Sequence, residues 1–239
     1  MTISMSHNST QNDLISCNPS YKLIAITNRA LCAEDLPTRI FRLCEEGFDH
    51  IIVREKDLSL DAYVLLLQAI GHTVPLHFWP RILLHTYTPS EIRARCPELE
   101  EFLTTIGGFQ LTARQINLRA AQHLTTFDRV HSFIGTSVHN KEETASACSN
   151  RMSYVIASHI YPTTCKPGLD PRGLEFLNHV TRFIDPSSTE LWALGGITPE
   201  RACAVVESGA QGLCVMSSAM IEEPEMLVHA FRGALERVS

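Results

Sequence analysis

The chain has 239 residues, a formal net charge of −6, and 44% hydrophobic against 19% charged residues, a balance that suits a folded globular protein. The acidic balance excludes a nucleic-acid binder that works by bulk electrostatics, while leaving room for a small basic pocket. No apolar run approaches the roughly 18–20 residues of a membrane span, so no membrane association is expected.

Residues Met1–Ser20 are polar, with neither an Arg/Lys-rich start nor an apolar centre. They read as a disordered extension rather than a secretory signal, and the expected location is cytoplasmic. From Tyr21 to Ser239 short apolar runs alternate with helical patterns. Lys22–Thr27 reads as a strand and Ala33–Gly47 as a helix, with Leu36, Ile40, Phe41, Leu43 and Cys44 at helical spacing and Gly47 as its stop. His50–Arg54 is a second strand, followed by a helix over Ser59–Ile70. Arg81–His85 and a short helix from Pro89 to Cys96 come next, then Gly108–Thr112 and a helix over Ile116–Leu124. Ser132–Ser137 precedes a helix over Lys141–Cys148, and Tyr154–Ser158 precedes a longer loop and a helix from Pro171 to Phe183.

The last third is the most regular. Leu191–Ile197 and Gly212–Ser218 are apolar runs that stop at Gly195-Gly196 and Ser217-Ser218. Between them Thr198–Gly209 reads as a helix, with Thr198 as N-cap and Pro199 in the first helical position. Glu222–Val238 is the final helix. Eight strands alternating with eight helices predict a single α/β domain over residues 21–239, a (β/α)8 TIM barrel, in preference to an open doubly wound sheet. The strands are apolar on both faces, as parallel strands covered on both sides should be.

Eight cysteines, at positions 17, 32, 44, 96, 148, 165, 203 and 214, form no C-x-x-C pair. Cys44, Cys203 and Cys214 fall on predicted core faces, which favours reduced structural thiols over a zinc site or a disulfide frame.

In a barrel of this kind the chemistry sits at the C-terminal ends of the strands. Here those ends are polar: Arg54-Glu55-Lys56, His85-Thr86, Gln110 with Arg114, Ser137-Val138-His139, His159 and Thr163-Thr164-Cys165-Lys166, then the two small-residue turns. Glycines let backbone N–H groups approach an anion, so Gly195, Gly196 and Ser217 read as a phosphate clamp. Arg54, Lys56 and Lys166 add cations across the rim, which points to a small anionic substrate. Each has a plainer reading: Arg54 or Lys56 could pair with Glu55, and His139 could simply cap the helix that follows it. His50, His85 and His159 read as structural, and no H-x-H or H-x-x-x-H pair supports a metal.

At these residues the sequence resembles the thiamin phosphate synthase/TenI superfamily. The resemblance rests on ordered motifs: Ala-Ile-Thr at 25–27, Arg-Glu-Lys at 54–56, Gly-Thr-Ser-Val-His at 135–139, Ala-Leu-Gly-Gly-Ile at 193–197 and Val-Met-Ser at 215–217. Residues 159–173 look particularly like the TenI branch. The superfamily's synthases join a pyrimidine diphosphate to a thiazole phosphate and need Mg²⁺. Their metal carboxylates lie after strands 3 and 4, where this chain reads His85-Thr86 and Gln110-Leu111-Thr112-Ala113-Arg114-Gln115. A nearby cation, Arg114, would oppose a metal there. The TenI-like tautomerases need no metal and aromatise a carboxythiazole phosphate by proton transfer. The resemblance therefore implies a tautomerase without cofactors, with His139 and Lys166 as catalytic residues. Arg54, Lys56, Ser137, Thr164, Gly195, Gly196, Met216 and Ser217 would bind the phosphorylated thiazole. A Mg²⁺-dependent synthase and a non-catalytic thiazole-phosphate-binding regulator are the alternatives. Barrels of this type often associate through their helices, so a homo-oligomer stays open.

Overall fold

The computed structural model describes residues 21–122 and 133–236, over 118–122 by backbone alone. The expected disordered extension and the outer ends of two expected helices, at Leu124 and Val238, lie outside the described residues. The strands are β1 (Lys22–Ile26), β2 (His50–Val53), β3 (Ile82–His85), β4 (Gly108–Leu111), β5 (Phe133–Val138), β6 (Tyr154–Ser158), β7 (Glu190–Leu194) and β8 (Gly212–Val215). All pair in parallel and in chain order, and β1 closes on β8 with Lys22 opposite Gly212. This is a closed (β/α)8 barrel, and the open-sheet alternative falls with that pairing.

The helices are α1 (Leu36–Glu46), α2 (Leu60–Thr73), α3 (Pro89–Arg95), α4 (Glu100–Thr105), α5 (Ala113–Gln122), α6 (Lys141–Ser149), α7 (Gly173–Val180), α8 (Pro199–Glu207), α9 (Ser217–Ile221) and α10 (Pro224–Leu235). Their ends follow local chemistry. Asp35 caps α1 by accepting from Thr38 N at 3.0 Å, and Gly47 ends it at φ +103°. Leu36, Ile40, Leu43 and Cys44 then bury one face of α1 against the barrel wall, while Phe41 is only half-buried. Thr198 is the N-cap of α8 with Pro199 at N1, as expected, although its hydroxyl accepts no helix N–H. Two expectations are corrected. Ser217 and Ser218 begin α9 rather than forming a turn. Cys203 is half-buried rather than in the core, its thiol donating to Ala234 O at 3.2 Å. The seven cysteines among the described residues are all free thiols.

Strand alternation divides the apolar residues into two sets. Outward residues such as Leu23, Ala25, Ile51 and Val155 pack under the helices. Inward residues, Ile24, Ile26, Ile52, Leu83, Tyr154, Ile156, Trp192 and Cys214, fill the barrel. Aromatic rings plug its N-terminal end. Tyr154 stacks on Trp192 at 4.0 Å, and Phe133 and His50 pack beside them. Glycine makes this possible. A Cβ on Gly212 would sit 2.5 Å from the Trp192 ring, and one on Gly135 would sit 2.3 Å from the Tyr154 ring. Glu190 ties the plug down, accepting from Trp192 Nε1 at 2.8 Å and from Lys22 Nζ at 2.6 Å. No helix among the described residues is long and apolar enough to cross a membrane.

Candidate active site

Above the plug a cavity of 1320 Å³ opens at the C-terminal ends of the strands. Its floor is a ring of strand-end residues: Ile26, Arg54, His85, Gln110, Ser137, Ser158, Leu194 and Met216. The ring is divided. The ends of β2 through β6 contribute polar groups, and those of β7, β8 and β1 contribute apolar ones. The floor thus offers a polar arc to a ligand's charged or hydrogen-bonding edge and an apolar arc to a ring face.

Arg54, Lys56, Ser137, His139, Thr164, Lys166, Gly195, Gly196, Met216 and Ser217 all border this one cavity. Glu55 does not hold the cations beside it. Its buried carboxylate accepts from Thr27 Oγ1 at 2.7 Å and from Arg29 N and Nη1, so it faces β1. Among the described residues neither Arg54, Lys56 nor Lys166 makes an ion pair within 4.0 Å. Burial pushes the ammonium pKa of Lys56 below its ordinary value, and Arg54 and Lys166 push it further. Lys166 is lowered in the same way, by burial and then by Arg172 and Arg54, with Glu143 opposing. Two ammonium groups lowered by burial and by neighbouring cations are relieved by an anion placed among them.

Lys166 is aimed by its loop. Its Nζ donates to Ser158 Oγ at 3.1 Å, and Gly168 turns the chain at φ +76°. Arg172 donates to Ser158 O at 2.9 Å, and the His159 ring lies 3.3 Å from Leu169 O, bracing both ends of the loop. His159 also borders the cavity. Cys165 reaches across the mouth, with its sulfur 3.3 Å from Ser217 Oγ.

Gly195 and Gly196 turn at φ +107° and +63°, where an L side chain is strained. A Cβ on Gly195 would lie 2.3 Å from His159 Cβ, and one on Gly196 would lie 2.6 Å from Pro162 O. The two glycines thus let the end of β7 pack tightly on the loop after β6, besides baring backbone to the cavity. Arg201, which the sequence reading missed, donates to Gly196 O at 2.6 Å and stacks on Tyr161.

His139 does not cap α6; Asn140 does, its Oδ1 accepting from Glu143 N at 2.8 Å. The imidazole instead meets Glu143, with Nδ1 2.9 Å from Oε2. Sequence reasoning did not single out Glu143, although His-Asn-x-x-Glu carries a capping-box pattern that could have found it.

The ends of β3 and β4 carry no carboxylate. His85 is buried, with Nδ1 2.9 Å from Thr86 Oγ1, and its pKa is pushed down to about 3 by burial, then by Lys56 and Arg54. Gln110 donates from Nε2 to Ser137 Oγ at 3.1 Å, while its buried Oε1 has no partner among the described residues. Gln115 accepts from Thr112 N at 2.8 Å and donates from Nε2 to Thr86 O at 3.2 Å, tying the end of β4 to that of β3. Arg114 is exposed and does not border the cavity, so it is not the opposing cation expected there. The acids that border the cavity are Glu142, Glu143 and Glu222, and among the described residues no three His, Cys, Asp or Glu side chains converge. None of these acids stands at the end of β3 or β4.

The family model described as thiamine monophosphate synthase (TMP-TENI) matches residues 103–219. A thiamine-phosphate synthase of Salmonella paratyphi B is 35% identical over 185 residues, covering 75% of this chain and 78% of the relative. That of Clostridium acetobutylicum is 28% identical over 206 residues, covering 84% and 87%. Among solved structures, thiamine phosphate pyrophosphorylase from Pyrococcus furiosus superposes with a TM-score of 0.68 at 20% identity, over 91% of this chain and 96% of that one.

Proposed function

The chain belongs to the thiamin phosphate synthase/TenI superfamily, and we propose that it is an enzyme of thiamin biosynthesis, a metal-independent thiazole tautomerase. One observation carries the choice: the ends of β3 and β4 present His85 and Gln110 where a metal-dependent transfer needs carboxylates, while His139 stands on the cavity with a carboxylate behind it.

The substrate is a carboxythiazole bearing an ethyl phosphate and an exocyclic alkene. Gly195, Gly196 and Ser217 receive the phosphate, and Arg54 and Lys166 face the carboxylate. The apolar arc of Leu194, Met216 and Ile26 takes the ring face. His139 removes the proton from the carbon next to the carboxylate. The freed electron pair enters the ring, the exocyclic double bond shifts inward, and the exocyclic carbon takes a proton from the imidazolium. Nothing is oxidised or reduced, and aromatisation drives the step. Histidine suits the role because its unperturbed pKa of about 6.5 lets it give and take a proton near neutrality.

A second reading is the synthase, which the names of the relatives favour. Arg54, Lys56 and Lys166, without an ion pair among the described residues, would also suit a diphosphate. The deciding experiment incubates the protein with the unaromatised tautomer and follows aromatic absorbance. In parallel, pyrimidine diphosphate, thiazole phosphate and Mg²⁺ are supplied and thiamin phosphate is assayed. We expect aromatisation without metal and no coupling. Efficient coupling would establish the synthase, and binding of the tautomer without turnover a regulator. His139→Asn should keep substrate affinity and lose roughly 10²-fold or more in rate; unchanged turnover would remove His139 from the chemistry.

A further inference from the structure

We propose that Glu143 is the positioning residue of this site, fixing the proton of His139 on Nδ1 so that Nε2 meets the ligand as the unprotonated base. The proposal rests on the tautomerase reading for its kinetic consequence, but its structural content can be tested alone.

One oxygen carries the arrangement. Glu143 Oε2 lies 2.7 Å from the His139 backbone N and 2.9 Å from its Nδ1, so it accepts from both. The other oxygen, Oε1, lies 3.3 Å from Asn140 Nδ2. The Glu143 backbone is held in turn by Asn140 Oδ1 at 2.8 Å, within the first turn of α6. An ionised carboxylate can only accept, so the ring nitrogen it faces carries the proton in a neutral imidazole. Without that partner the proton is free to sit on either nitrogen. A base protonated on the wrong nitrogen cannot take a proton from carbon. When His139 does take one, the carboxylate faces the new imidazolium.

The other charged groups bordering this cavity are Glu142 on α6, Glu222 at the end of α9, Lys166 after β6, Arg54 and Lys56 after β2, and Arg201 on α8. Among the described residues none of these makes an ion pair with His139; Glu143 alone does. A merely structural Glu143 would cap the turn through the backbone N–H of His139 and leave the ring proton indifferent, which gives the test its contrast.

The experiment compares wild type, Glu143→Gln and Glu143→Leu by long-range ¹H–¹⁵N correlation of the imidazole rings, with the His139 signals assigned through His139→Asn. Wild type should show the Nδ1–H form. Glu143→Gln should keep it, because the His139 backbone N–H holds the amide oxygen toward the ring. Glu143→Leu should show a mixture or the Nε2–H form. On the tautomer substrate, Glu143→Leu should lose on the order of 10–100-fold in kcat with KM within about twofold, and Glu143→Gln should recover part of the loss. An Nδ1–H ring in Glu143→Leu, or an unchanged kcat, overturns the proposal. Should Glu143→Leu not fold, an Nε2–H ring in Glu143→Gln overturns it equally. A wild type that shows the expected ring but no aromatisation defeats the tautomerase reading and leaves the positioning role standing.

Discussion

Gln110 is 4% exposed in a wall that borders the cavity, and its Oε1 has no partner among the described residues. An amide oxygen so placed can accept from a ligand donor. We expect Gln110→Leu to raise KM for the ligand in initial-rate assays; an unchanged KM would show that the amide does not reach it. At this scale the sequence was informative about position and silent about partnership. Arg54 and His139 were legible because apolar runs end beside them, and Lys166 because it stands among small residues in the loop after β6. The allegiance of Glu55 to Thr27 and Arg29 was not, since it depends on how β1 and β2 lie side by side. The partner of His139 was not read either, because Glu143 joins the site only once Asn140 starts the helix between them.

The strands owe their inner packing to residues that have no side chain. Gly212 admits the Trp192 ring, with a hypothetical Cβ 2.5 Å from it and 2.7 Å from Ile24 Cδ1. Trp192 cannot yield easily, being stacked on Tyr154 and tied to Glu190. Gly212→Ala should cost about 1–3 kcal/mol, the range for overpacking a filled core. Gly233 is the control: a Cβ there meets nothing within 4 Å on α10, so Gly233→Ala should be neutral or stabilising by up to about 1 kcal/mol. Chemical denaturation of the pair checks both, and an equal effect would refute the packing account. All eight strands were legible as apolar runs, and most helices as periodic ones. The short helices α4 and α9 were not, because five or six residues carry too little periodicity. The β7 and β8 runs end sooner than the apolar pattern suggests, because Gly195 turns the chain at positive φ and Ser217 already begins α9.

For the molecule as a whole, two histidines, the half-buried His50 and the buried His85, contribute to the response to acid. His50, packed against Phe133 and Trp192, has its pKa pushed down to about 4 by burial and then by Lys22. His85 is lower still, at about 3. In the unfolded chain both take a proton near pH 6.5. Below that pH the unfolded state therefore binds more protons than the folded one. Stability falls as pH drops from about 6.5 toward the folded values, by up to about 1.4 kcal/mol per unit for each histidine. Above about pH 6.5 neither contributes to the slope. His50→Phe should thus shrink the difference in Tm between pH 7 and pH 5, and an undiminished difference would acquit His50. Barrel closure was legible only as an eightfold count; it is the register of Lys22 against Gly212 that makes it a fact of the fold. The aromatic plug has a further consequence, for traffic. With the lower end filled by Tyr154, Trp192, Phe133 and His50, the described residues leave the cavity open at the C-terminal ends of the strands. A newcomer cannot push the previous occupant out through the back, so each must leave before the next enters. Product should accordingly inhibit competitively, and an uncompetitive component in initial-rate plots would show that product and substrate bind together.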